Sequence, residues 1–146
     1  MQFNHVGISV RDIDRSIAFY NELLGLEKLC EVFPFGDDQF SAVMGLPNVQ
    51  GRMCMIGRNN LHLELFEFAR PAPNAKDVNY PVSDHGISHF GITVDNVVDT
   101  YARLEAAGVR MHTPLITFPG GITATYCRDP DGNVFEILEQ GEPPQG

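Results

Sequence analysis

No apolar run in this 146-residue chain approaches the roughly 20 residues that cross a bilayer. The opening MQFNHVGISVRDID has no basic segment leading into an apolar one, so neither a membrane span nor a secretory leader is expected. Cysteine is scarce: Cys30, Cys54 and Cys127 are odd in number, widely spaced and without a CxxC. That argues against a disulfide framework and suits reduced thiols in the cytoplasm, packed as small apolar residues. Positive charge is scarce too, with ten Lys plus Arg against 19 Asp plus Glu, a net charge of −9 and no basic cluster. Nucleic acid, which needs a basic surface, is not an expected partner. The acidity itself speaks for solubility and says nothing about substrate. The length suits one domain spanning 1–146 and not two independent ones. The closing GEPPQG is expected to fray.

What is present is a phrase written twice. HVGISV begins at His5 and HFGITV at His89, 84 residues later. The first is followed by RDIDRSIAFYNELLG, where Ile13, Ile17, Tyr20 and Leu24 have helical spacing, Asp12 can cap the start and Gly25 the end. The second is followed by DNVVDTYARLEAAG, where Val97, Tyr101 and Leu104 match at the same offset, between Asn96 and Gly108. Each helix precedes a hairpin: RMCMIG, the turn RNN and LHLELFEF in one half, GITATYC, the turn RDPDG and NVFEILE in the other. Asp-Pro-Asp-Gly is a strong turn signal. The stretch FPFGDDQFSAVMGLPN reads as a loop excursion, and ARPAPNAKDVNYPVSD, rich in proline, as a linker. The expected fold is α+β: βαβββ module 1 (about 1–68), linker (about 69–84) and module 2 (about 85–140), with sheets curving around a shared cavity.

Alternation assigns faces. Val6, Ile8 and Val10 point one way along the first strand, and His5, Gly7 and Ser9 the other; Phe90, Ile92 and Val94 oppose His89, Gly91 and Thr93 in its copy. The small residues beside each histidine leave room. The closing strands carry Glu64 between leucines 63 and 65, and Glu136 between Phe135 and Ile137. A carboxylate among apolar neighbours needs a partner or an ion. Two imidazoles and two carboxylates related by a repeat suit a divalent metal. His62 shares the face of Glu64; it reads as a pocket residue, an acid or base, a replacement ligand, or a solvated strand histidine. Phe33, Phe35 and Phe40 read as an apolar pocket wall or as a packing lid.

These motifs, HVGISVRDIDRSIAFYNELLGL, LHLELFEF, GISHFGITVDNV and YCRDPDGNVFEI, resemble the vicinal oxygen chelate superfamily over roughly residues 3 to 139. That superfamily includes glyoxalase I, bleomycin and fosfomycin resistance proteins, methylmalonyl-CoA epimerase and extradiol dioxygenases. The resemblance to bacterial glyoxalase I implies His5, Glu64, His89 and Glu136 as ligands of one divalent ion (Ni, Zn, Fe, Mn or Co) in a homodimeric enzyme. It implies proton transfer next to a metal-bound carbonyl, with Glu64 or Glu136 as base. Two positions depart from that family: Ser9 stands where it has an arginine that grips glutathione, and Phe68 where it has an asparagine. The implied substrate, met by Ser9, His62 and Phe35, is therefore a small molecule other than a glutathione adduct. The epimerases carry Gln in place of Glu64. An iron(II) extradiol dioxygenase is the alternative, using His5, His89 and Glu136 with Tyr126 as its active-site tyrosine; Glu64 counts against it, and Tyr126 can also be an ordinary strand aromatic. A resistance-type binding protein without chemistry is the third reading, against which the intact quartet argues.

Overall fold

The doubled phrase folds into two sheets of the same topology. A computed structural model describes residues 1–141, so the segment expected to fray lies, beyond Gly141, outside the described residues. The chain divides into units Met1–Lys76 and Asp77–Gly146. The first contains β1 (Val6–Ser9), α1 (Ile13–Leu24), β2 (Glu27–Lys28), β3 (Phe33–Phe35), α2 (Asp38–Met44), β4 (Gln50–Arg58) and β5 (Leu61–Arg70). The second contains β6 (Phe90–Thr93), α3 (Val97–Ala106), β7 (Arg110–Met111), β8 (Ile116–Thr117), β9 (Ile122–Arg128) and β10 (Val134–Gln140). Strand order is β1-β5-β4-β2 with β3 on β4, and β6-β10-β9-β7 with β8 on β9. In both, the first strand runs parallel to the last, and the last two pair as an antiparallel hairpin. The architecture is α+β, as expected.

The helices start and stop where their caps dictate. Asp12 Oδ1 accepts from the Arg15 amide at 3.0 Å and Asn96 Oδ1 from the Asp99 amide at 2.9 Å. Gly25 and Gly108 close them at φ +69° and +75°. The innermost residues are Ile13, Ser16 and Tyr20 in α1 and Val97, Thr100 and Leu104 in α3. The expected Ile17 and Tyr101 are only half-buried; small Ser16 and Thr100 take the middle position and let each helix lie close. Beneath them Leu63, Leu65, Phe135 and Ile137 are fully buried.

A second device repeats. Three residues beyond the central carboxylate of each last strand, Glu67 Oε2 accepts from the Ile13 amide and Glu139 Oε2 from the Val97 amide, both at 2.8 Å. Each places negative charge at a helix N-terminus. The Arg52 guanidinium, 2.8 Å from Glu67 Oε2, holds that carboxyl below its ordinary value; partial burial opposes this and the Ile13 amide supports it. The stabilisation is therefore present above the ordinary carboxyl value near 4.5 and fades as pH falls through the lowered one. Glu67→Gln is expected to cost about 1–2 kcal/mol at pH 7 and to flatten the acid limb of melting temperature against pH; unchanged melting curves from pH 7 to 3 would refute this.

One expectation is corrected. FPFGDDQFSAVMGLPN is not a loop: it supplies β3 and α2. Asp37 caps α2 through the Phe40 amide at 2.8 Å, and Phe40, Met44 and Leu46 pack on buried Phe35, Val49 and Met53. Of the linker segment, Ala69 and Arg70 finish β5. Further along, Arg128 donates to the Tyr80 carbonyl at 2.7 Å and Arg110 to that of Val78 at 2.7 Å, so this end of the segment is held by the second sheet.

All three cysteines are free, with Cys54 and Cys127 buried. Burial, then neighbouring Cys30, pushes the Cys54 thiol up to about 11, and burial pushes Cys127 up to about 12. Both stay protonated at pH 8, so iodoacetamide is expected to leave them intact in the folded protein and modify them only after denaturation. No helix among the described residues is long and apolar enough to cross a membrane.

Candidate metal centre

Glycine and glutamate face one another across the parallel strands in both units: Gly7 is opposite Glu64, and Gly91 opposite Glu136. The histidine sits just before the first strand and reaches the same carboxylate. His5 Nε2 is 2.9 Å from Glu64 Oε2, and His89 Nε2 is 3.4 Å from Glu136 Oε2. The other ring nitrogen is engaged by the preceding residue each time: His5 Nδ1 with Asn4 Oδ1 at 2.6 Å, His89 Nδ1 with Ser88 Oγ at 2.8 Å. Asn4 Oδ1 can only accept, so His5 Nδ1 carries a proton toward it, and Nε2 is the nitrogen that faces the carboxylate.

These are donor types that divalent metals take. Imidazole nitrogen and carboxylate oxygen converge on one point, and the far nitrogen is held by an outer partner, as in metal-bound histidines. The Glu64 and Glu136 side chains are 19% and 22% exposed, and among the described residues neither has a lysine or arginine partner. Among the described residues, no third His, Cys, Asp or Glu joins either pair. The donor types thus fit a divalent ion, with one His–Glu pair in each unit. A side chain at Gly7 would meet only Phe66, 3.9 Å away, so the space beside Glu64 is clear.

The remaining expected residues fall in different settings. Tyr126 is directly across from Glu136, its ring 4.3 Å from that of His89. Burial and then Glu136 push its hydroxyl above the ordinary value, so it is a proton donor at neutral pH. Ser9 is exposed opposite Phe66. His62 shares the Glu64 face but lies over Gly57, where a side chain would come 2.5 Å from its Cδ2. Phe35 departs from the pocket-wall reading: only 5% exposed, its ring is enclosed by Phe40, Phe66 and Phe68 at 5.3–5.6 Å. It is packing, and half-buried Phe66 is the aromatic next to Glu64 on that face.

His112 was not foreseen. Its amide donates to the Tyr126 carbonyl at 2.8 Å and its Nε2 accepts from Arg128 Nε at 3.1 Å. Partial burial, then Arg128 and Arg110, keep its ring below the ordinary histidine value. β7 has two residues, too few for a readable alternation. Counting from the helix-ending glycines exposes it: four residues beyond Gly25 is Leu29, four beyond Gly108 is His112.

The family model of the Glyoxalase/Bleomycin resistance protein/Dioxygenase superfamily matches residues 2–137. The chain belongs to this superfamily. Among similar curated proteins of the glyoxalase type is the lactoylglutathione lyase GLX1 of Arabidopsis thaliana, 28% identical over 99% of this chain and 46% of its own length. The chain thus spans about half of that relative. A virulence protein of Salmonella typhimurium is 28% identical over 94% of this chain and 83% of its own. The superfamily fold is matched by a glyoxalase family protein of Bacillus cereus, with a TM-score of 0.87 at 21% identity over 96% of this chain and 94% of that one.

Proposed function

We propose that this superfamily member is a metal-dependent enzyme of lyase or isomerase type, moving a proton next to the carbonyl of a small molecule other than a glutathione adduct. The observation that carries the proposal is the recurrence of one His–Glu pair at the same register in both units, at 2.9 and 3.4 Å. His5, Glu64, His89 and Glu136 would hold a single divalent ion, which when bound supplies Lewis-acid polarisation of a carbonyl oxygen. Glu64 or Glu136 takes and returns the proton as general base. Tyr126 stands beside Glu136 as a neutral donor. The lyase names of some relatives support the reaction type. Exposed Ser9 and half-buried Phe68 offer no charge to grip a glutathione carboxylate, which supports a different substrate.

Two ligands per unit favour assembly of the ion site by a homodimer, one pair from each chain. Co-expressed Glu64→Gln and Glu136→Gln chains would then recover about a quarter of the wild-type metal, since half of the random dimers are mixed and each keeps one intact site. Recovery of none would contradict the dimer. Reaction type is tested by following turnover of small 2-oxoaldehydes against their glutathione adducts; preference for the adducts would overturn the substrate reading.

Tyr126 against His89 favours a second reading, an iron(II) ring-cleaving dioxygenase. Oxygen uptake with iron(II) and a catechol panel would establish it in place of the first.

A further inference from the structure

Glu136, Tyr126 and His112 form one row across β10, β9 and the residue after β7. The matching row in the first unit is Glu64, Met55 and Leu29, and Leu29 donates to the Met55 carbonyl at 2.8 Å as His112 does to Tyr126. The repeat has therefore kept the His–Glu pair and changed what flanks it. One pair has an apolar flank, the other a phenol and an imidazole.

The imidazole is held in one form. Arg128 is buried, at 8% exposure, and donates to the carbonyls of Gly132 at 3.0 Å, Val78 at 3.3 Å and Tyr80 at 2.7 Å, with its guanidinium 4.8 Å from the Tyr80 ring centre. So anchored, its Nε–H fixes His112 Nε2 as acceptor, and the ring proton lies on Nδ1. Among the described residues no acceptor meets that Nδ1–H, and His112 is exposed. The ring centre lies 5.9 Å from that of Tyr126. A fixed, neutral, exposed donor beside a proton-handling site is free to meet a ligand oxygen.

We propose that His112 is a substrate-contacting residue, donating its Nδ1–H to a second oxygen of a molecule whose carbonyl end lies at Glu136. This rests on the metal-site reading above. Two strand spacings separate His112 from Glu136, roughly 10 Å. The substrate therefore carries a polar group several ångströms beyond its carbonyl, and is longer than a two-carbon oxoaldehyde.

The test uses the zinc-loaded protein and three chelating probes: benzohydroxamate and its 3- and 4-hydroxy derivatives. Calorimetry is expected to show at least one hydroxy derivative binding about tenfold tighter than the parent, a net charge-free hydrogen bond's worth. His112→Leu should remove that advantage and leave benzohydroxamate affinity and zinc content within about twofold, while His112→Asn, which keeps an N–H donor, should restore most of it. Equal weakening of all three probes, or no change, would overturn the proposal while zinc binding stands. Failure of the wild-type protein to bind zinc would overturn the metal-site reading and this proposal with it.

Discussion

Replacing Glu64 by Gln is expected to lower divalent-ion affinity by at least about 100-fold and to abolish turnover. Outer partners that only orient a ligand cost 10–100-fold when removed, so loss of a direct anionic donor sets the upper end of that range as a floor. The repeat predicts the same loss for Glu136→Gln, because Gly7–Glu64 and Gly91–Glu136 hold the same register and each carboxylate faces a histidine. The substituted side chains are half-buried on sheet faces, and Gln keeps their volume. Melting temperature without metal should accordingly stay within a few degrees of wild type. Metal titration of the two variants checks the prediction; affinity like that of wild type in either would remove that carboxylate from the ligand set.

Gly132→Ala is expected to be the most damaging single methyl in the second unit. Gly132 ends the Asp-Pro-Asp-Gly turn at φ +85°, and an added Cβ would come 2.6 Å from both Cα and O of Val78. Left-handed backbone costs about 1–2 kcal/mol for a residue with a Cβ, and overpacking against rigid backbone adds about 1–3. A loss of about 3 kcal/mol follows, near 10 °C in melting temperature for a chain of this size. Relief is not open to the turn, since Asp129 Oδ1 accepts from the amides of Asp131 and Asn133, both at 2.9 Å. Nor is it open to Val78, whose carbonyl is held by Arg110 and Arg128. Thermal unfolding of this variant within about 2 °C of wild type would show the contact to be soft.

The fold was legible wherever a local rule acts. The doubled phrase, the caps at Asp12 and Asn96, the glycine stops and the Asp-Pro-Asp-Gly turn each act within a few residues, and each sits where it was read. Alternation also marked the faces carrying Glu64 and Glu136. It could not show what covers a face. By composition Phe35 reads equally as a pocket wall or a packing residue; α2 and the stacked Phe66 and Phe68 enclose it, a contact between segments about 30 residues apart. Short elements such as β3 and β7 have no period to detect. Arg128 read as part of a turn; its buried role depends on carbonyls some 50 residues earlier, which no local pattern encodes.

Binding stoichiometry tests the central claim most directly. If the two His–Glu pairs are halves of one site, isothermal titration of metal-free protein with zinc will give one ion per chain at high affinity, and Glu64→Gln or His89→Ala alone will abolish it. Two ions per chain, each lost independently with its own pair, or no uptake at all, would contradict the account.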